Sequence, residues 1–493
     1  MRKLLPVILF MLACVGCREY QVADDPSLKL SFSCDTLRFD TVFTEQGSAT
    51  LQLMVYNRNA NALLIDRVGL LSGTSFRVNV DGEQELKRLT NLQINGGDSL
   101  FVFVRVDIDP TSSNSPVLVS DLLSFHLKSG VTQSVTLEAY GQDVVRIGKF
   151  GGRWYANDYT FTADKPYLLT DTVIIQGTLT MQPGATLYMH RGACLYALGN
   201  VQAMGTLNSP ILICGDHLNN LFDSVPYLYA SGSWNGIYLQ SEQEDVTYNL
   251  SYVDILSGNV GLYCYSDKSD HLPMLRMDGC RIHNHALYGL ALIHADALVT
   301  NTEISNCALN CVYCLGGNHD FVHTTIASYY GYTNINIHST RKEDASAVFI
   351  NNLSKELPQT VTSFYNSIIT GYQQNQLVVA TPFDRYYPGA FIGNYLKTDT
   401  LAIPHAERNV YWQSTDSTWV FRNIYYGTRL PDTLKKYYTH KEFKPYEYYD
   451  FRLDSLSTAI GIGDSLTAVP YPTDRLGVSR ALCVPDAGCY QHE

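Results

Sequence analysis

Cations are scarce in this chain: 35 lysines and arginines stand against 47 aspartates and glutamates, for a net charge of −12. No basic cluster interrupts that balance. An acidic surface repels a phosphate backbone, so nucleic acid is not expected as a partner. Alanine-rich helical stretches are missing. After Val15 there is no further apolar run of about 20 residues, so no membrane-spanning helix is expected in the mature chain. The cysteines beyond Cys17 have no spacing that would build a disulfide framework for a body this large; Cys483 and Cys489 are the candidates for a local pair. What the chain does have is tyrosine, 35 copies of it, with abundant Val, Thr and Ile. These residues favour strands, so the expected class is all-β. At 493 residues the chain is too long for one core, and two or three domains are expected.

The N-terminus carries the sharpest local signal. Met1-Arg2-Lys3 is a short basic start, Leu4 to Val15 is apolar, and Gly16-Cys17 precedes the polar Arg18-Glu19-Tyr20. The pattern resembles a lipoprotein signal peptide over residues 1–16, although Cys14 stands at the −3 position where Leu or Val is usual. The resemblance implies lipid attachment at Cys17, a membrane partner through that anchor, and a tether over residues 17–30. It places the protein in the cell envelope as an outer-membrane lipoprotein. The acidic pair Asp24-Asp25 resembles tethers that send such proteins to the cell surface.

From residue 31 to 145 short alternating strands are expected. Thr50 to Asn57, Ser99 to Val106 and Val135 to Ala139 are the clearest, separated by turn sequences such as Asn95-Gly96-Gly97-Asp98 and Asp109-Pro110. With Leu64-Ile65, Ser75-Phe76-Arg77-Val78 and the closing Gly141-Gln142-Asp143, the segment resembles the immunoglobulin-like β-sandwich modules of secreted bacterial proteins. The boundary is expected between Asp143 and Pro166.

Residues 146–493 follow a different rule. Asp171 to Leu187 reads strand, glycine, strand, Pro-Gly turn. Ile255, Ile282, Ile304, Ile326 and Ile368 then recur in similar segments at intervals of about 27, 22, 22 and 42 residues, near one or two coils of roughly 20–25 residues each. Ser257, Asn284, Asn306, Ser328 and Thr370 follow two residues after each isoleucine, which suggests a polar ladder at one turn. This period, with the closing Pro485-Asp486-Ala487-Gly488-Cys489-Tyr490, resembles a right-handed parallel β-helix of the pectate-lyase-like kind. Tyrosine-rich loops are expected around 381–449, where Tyr386-Tyr387, Tyr425-Tyr426, Tyr437-Tyr438 and Tyr448-Tyr449 fall.

Several constellations could carry chemistry. Cys307, Cys311 and Cys314 have the CxxxCxxC spacing that holds a four-iron cluster in radical enzymes. Inside a coil repeat, however, the same thiols read as stacked apolar side chains. Arg281, His283 and His285 would share a strand face if the strand continues that far, with His294 and His323 as further metal ligands only by nearness in the chain. No third ligand is fixed, so no metal or other cofactor is expected. Side chains alternate along a strand. If the isoleucines point inward, Asp254, Arg281 and Glu303 point outward on successive coils, with the two carboxylates roughly 9–10 Å apart. They form either an exposed ion ladder or, with His283 at its edge, the floor of a sugar-binding groove. The expected function is non-catalytic binding of a glycan or another envelope protein along the β-helix. The alternative is a polysaccharide lyase or glycoside hydrolase on that scaffold, with calcium involved only in the lyase case.

Overall fold

A computed structural model describes residues 21–218, 220–222, 225–226, 230–240, 245–267, 272–330, 345–354, 356–371, 373–380, 389–398, 411–412, 421–424, 449–480 and 484–492. Cys17, Cys483 and most of the tyrosine-rich stretch 381–449 lie outside the described residues. The chain divides into two compact units, Met1–Asp143 and Val144–Glu493.

The first unit has a four-stranded and a five-stranded sheet that close on one core. Strict alternation makes this possible. In the strand Ser99–Val106, Leu100, Val102, Val104 and Val106 are buried, while Phe101 and Phe103 face outward. The strands Leu51–Tyr56 and Phe76–Val80 flank it in antiparallel register. The expected tether is partly packed against this unit. Leu30 belongs to the core, and Ala23 and Ala62 exchange backbone hydrogen bonds with the segment opposite.

The second unit is built of parallel strands, consistent with a β-helix. One coil is Val253–Leu256, Leu262–Tyr265 and Met274–Asp278; the next is Arg281–His285, Leu290–Ile293 and Asp296–Thr300; a third is Glu303–Cys307, Val312–Leu315 and Gly317–Val322. The first two strands of each coil join an 18-stranded sheet and the third joins a nine-stranded one. Stacking sets like residues on like. Leu187, Ile213, Ile255, Ile282, Ile304 and Ile326 form one inward column, all buried. Each such side chain contributes about 1.5–3 kcal/mol through burial. At the turn after the first strand, Ser257, Asn284 and Asn306 take left-handed backbone, with φ of 63°, 65° and 52°. That conformation favours small polar residues there. A ladder contact exists between Asn284 Nδ2 and Ser257 Oγ at 3.3 Å, but Asn306 instead accepts from the backbone of Tyr329.

One register expectation fails. The partner of Ile326 is Ile369, and Ile368 pairs with Thr325. Ser328 therefore faces Gly371 rather than Thr370. The cause is that Ile368 and Ile369 are both buried, on opposite sides of the strand. Ile369 lies in the coil interior. Ile368 lies in a separate apolar cluster outside it, with Ala327, Tyr395, Phe451, Leu453, Ala487, Cys489 and Tyr490. The C-terminal segment thus lies along the outside of the coils and gives this face a second core.

Candidate functional site

The outward column runs in register as Asp254, Arg281, Glu303, Thr325 and Ile368. The structure therefore brings Asp254, Arg281 and Glu303 together on successive rungs. It does not leave them open. Arg475 Nη2 donates to Asp254 Oδ1 at 2.6 Å, and its Nε donates to the Cys280 carbonyl at 3.3 Å. The Tyr490 hydroxyl donates to Glu303 Oε2 at 2.5 Å. Arg281 Nε lies 3.4 Å from Glu303 Oε1, and the Glu303 side chain is only 4% exposed. The expected exposed ladder is instead an ion cluster covered by the chain's own C-terminal segment. Gly488 permits this approach. Its φ is +97°, and a Cβ there would meet Thr325 Oγ1 and Ile368 Cδ1 at 2.8 Å.

His283 is buried beside this cluster. Ser305 Oγ donates to Glu303 Oε1 at 2.7 Å, so it accepts from His283 Nδ1 at 2.8 Å. Burial and the neighbouring Arg281 and His285 hold the His283 imidazole well below its usual pKa. The expectation that His285 shares its face fails, because left-handed Asn284 breaks the alternation. His285 is wholly buried. Its Nδ1 accepts from the Gly258 backbone at 3.1 Å and its Nε2 donates to the Ile255 carbonyl at 3.1 Å. Burial pushes its pKa down to about 4. His283 and His285 are therefore neutral interior hydrogen-bonding groups. Cys307, Cys311 and Cys314 are likewise fully buried in the coil core, and burial pushes the Cys314 thiol up to about 12. Among the described residues no three His, Cys, Asp or Glu side chains are grouped to hold a metal. Cys489 is a free, buried thiol.

An open concavity lies on the nine-stranded face. A cleft of about 480 Å³ has coil strands on one side and Pro470, Tyr471, Pro472 and Thr473 on the other. Arg276 stands on the rung between Asn249 and Leu298, and Asp278 on the rung between Ser251 and Thr300. Thr300 Oγ1 and Asn301 Nδ2 donate to the same Asp278 oxygen at 2.6 and 3.0 Å. Asn301 is 8% exposed, and its buried Oδ1 has no hydrogen-bond partner among the described residues. The Arg276 guanidinium, which is exposed, has no ion pair among the described residues. Arg480 fixes the opposite wall by donating through Nη1 to the carbonyls of Tyr471 and Thr473. The Tyr471 ring meets the ring of His323 edge-on, 6.4 Å between centroids. Burial and the charges of Asp278 and Asp320 raise the Tyr471 phenol. This cleft can present donors, acceptors and an aromatic ring to one hydroxyl-rich ligand.

Sequence reasoning missed the cleft, because its two walls are far apart in the chain. It also missed two other groupings. His190 Nδ1 and Asp216 Oδ2 are 2.6 Å apart on neighbouring rungs. Tyr196, Tyr238 and Tyr263 form an outward ladder, continued past Ala291 by Tyr313 and Phe349. The signal was present: Tyr alternates with buried apolar residues in Leu195-Tyr196, Ile237-Tyr238-Leu239 and Leu262-Tyr263-Cys264. Tyr196 and Tyr238 stack at 4.7 Å and Tyr313 and Phe349 at 6.0 Å, so these rings spend their faces on one another.

No family model matches the chain, and no curated protein matches it. Among solved structures, the VesB protease of Vibrio cholerae is 18% identical, covers 23% of this chain and 31% of its own, and has a TM-score of 0.17. A family 123 glycoside hydrolase from Clostridium perfringens is 8% identical over 24% of this chain and 27% of its own, with a TM-score of 0.18. Dex49A from Penicillium minioluteum is 10% identical over 77% and 78%, with a TM-score of 0.15. The chain thus spans less than a third of the length of the first two. At these scores the likenesses carry no argument about activity.

Proposed function

We propose that the protein is an envelope lipoprotein, anchored through Cys17, that binds a glycan on its coil domain without transforming it. In this reading the coil domain is a right-handed parallel β-helix and the N-terminal sandwich is an immunoglobulin-like spacer. The observation that carries the binding reading is the cleft beside Tyr471, where the exposed Arg276, the Asp278 carboxylate and the Tyr471 ring line one concavity. Sugar binding sites combine such polar groups with an aromatic ring. The covered state of Asp254, Arg281, His283 and Glu303 moves the ligand face from that column to the cleft.

A glycan array probed with the full mature chain tests the reading; binding to no glycan sinks it. Release of reducing or unsaturated ends from uronate and neutral polymers, with and without calcium, would establish the lyase or hydrolase alternative instead. The anchor is tested separately by intact mass of the membrane fraction. Cys17→Ala should lose both the acyl mass and membrane retention.

A further inference from the structure

We infer that the outward face of the four-stranded sheet in the first unit rests on an anionic phospholipid surface, that of the membrane which the Cys17 anchor enters. The setting rests on the anchor reading; the face is defined by its own residues. In Ser99–Val106 the exposed side chains are Phe101, Phe103 and Arg105. Phe101 and Phe103 are 49% and 41% exposed, and their rings stack at 6.4 Å. Met54 pairs with Phe101 from the neighbouring strand. Arg105 stands directly opposite Arg77, and both are exposed. Like charges in opposite positions repel, so this pair is unfavourable until an anion meets it. Arg77 donates only to the Thr74 and Phe76 carbonyls, and neither guanidinium has a carboxylate partner among the described residues. The strands of this sheet carry those two arginines and no aspartate or glutamate, in a chain of net charge −12. The strands of the other sheet carry Asp40, Asp66, Asp121 and Glu138 against Arg38 and Arg67. Rings edged by arginines match a boundary of phosphates over acyl chains: the ring enters the boundary and the guanidinium takes a phosphate.

The path of the chain puts this face within reach of the bilayer. Only Arg18, Glu19 and Tyr20 separate Cys17 from Gln21. The Gln21 carbonyl accepts from the Ala62 backbone, and Ala23 donates to the Ala62 carbonyl, so the chain is already fixed to the sandwich there. The four steps from Cys17 to Gln21 span at most about 14 Å. The eight residues of Ser99–Val106 extend roughly 27 Å, so an anchored sandwich cannot clear the headgroups. The point of attachment lies at one end of the four-stranded sheet. Asn57, which follows Leu51–Tyr56, donates through Nδ2 to the carbonyl of Asn61, next to Ala62. At that end Arg58 lies over the Tyr56 ring, 5.2 Å from its centroid. Tyr56 pairs with Ser99, and Phe101 follows roughly 7 Å further along the strand.

The test uses the full mature chain with Cys17→Ala, which carries no acyl chains, sedimented with vesicles at millimolar lipid. Vesicles of phosphatidylethanolamine and phosphatidylglycerol should retain it, and vesicles of phosphatidylcholine alone should retain it at least about tenfold less, since each arginine near an anionic surface adds roughly a fivefold preference. Phe101→Ser with Phe103→Ser should lower the partition coefficient on the anionic vesicles about tenfold, as should Arg77→Gln with Arg105→Gln. Leu118→Ser with Tyr140→Ser, an exposed pair on the other sheet, should leave it unchanged. Circular dichroism shows that each variant folds. No retention by the anionic vesicles, equal retention by both kinds, or retention that survives the paired Phe substitutions would each overturn the membrane face. Loss in the Leu118 and Tyr140 variant alone would overturn it too, by moving the contact to the other sheet. Failure of the anchor reading shows separately, as a membrane fraction whose intact mass lacks the acyl groups.

Discussion

The sandwich and the coil domain differ in the titratable groups that they bury. In the sandwich, Asp121 is buried as a carboxylate. It accepts from the backbone of Leu71, Ser72 and Gly73 at 2.9–3.0 Å and from the Ser72 hydroxyl at 2.8 Å. Burial alone would raise its pKa, but the hydrogen bonds outweigh that and hold it low. In the coils the buried titratable groups include several imidazoles, beside the Glu303 carboxylate. His285 and His319 are pushed to about 4 and His323 to about 3, each by burial first. A closed turn can aim several backbone N–H groups at one anion. A stacked coil already spends its N–H groups on the next rung, so its interior suits neutral groups that accept one bond and donate another.

This contrast predicts that acid separates the two units, and the effect should be the largest of those considered. A histidine whose folded pKa is lowered contributes stability that is complete above its unfolded value near 6.5 and is lost as pH falls toward the folded value. The coil domain should lose on the order of several kcal/mol between about pH 6.5 and 4. The sandwich, resting on a lowered carboxylate, should keep its stability until pH drops below about 4. All four tryptophans, at 154, 234, 412 and 419, lie in the second unit, so their fluorescence reports the coils alone. Acid titration should show the tryptophan transition first and a later loss of far-ultraviolet strand signal. Coincident transitions would break the comparison.

Next in size is the covered ion cluster. Glu303→Ala leaves Arg281 without its carboxylate and Tyr490 without its acceptor. Removing one partner from a buried pair costs about 3–5 kcal/mol. Denaturant titration read by tryptophan fluorescence should register it; a loss under about 1 kcal/mol would mean that the cluster contributes little. In the sandwich, Asp121→Ala should cost about 1–3 kcal/mol, because the backbone groups of residues 71–73 lose their acceptor. Fluorescence should not report this change, whereas the circular dichroism of the sandwich transition should. Smallest is Arg38→Ala, which removes a solvent-exposed pair with Glu138 at 3.0 Å. It should change the midpoint by at most about 1 kcal/mol.

Much of the coil domain was legible because stacking makes its period visible. The column of Ile255, Ile282, Ile304 and Ile326 and the outward alternation of Asp254, Arg281 and Glu303 follow from counting alone. The slip at Ile368 shows the limit of counting. Where both faces of a strand are buried, adjacent apolar residues are indistinguishable by pattern, and a register error of one costs the pattern nothing. The turn at Asn284 shows another limit. Polarity there was visible, but its left-handed backbone, which turns His285 into the interior, was not.

The sequence by itself determined the all-β class, the coil period and which residues share a rung from Ile255 to Ile326, because those depend on spacing between neighbouring strands. Only the tertiary structure decided what covers each rung. Arg475 meets Asp254 across 221 residues and Tyr490 meets Glu303 across 187. The same segment, pinned by Arg480, supplies the Tyr471 wall of the cleft. Contacts at such separations obey no local period. They depend on where the chain returns after its last coil, and the free energy that selects that path comes from the apolar cluster of Ile368, Tyr395, Phe451 and Tyr490.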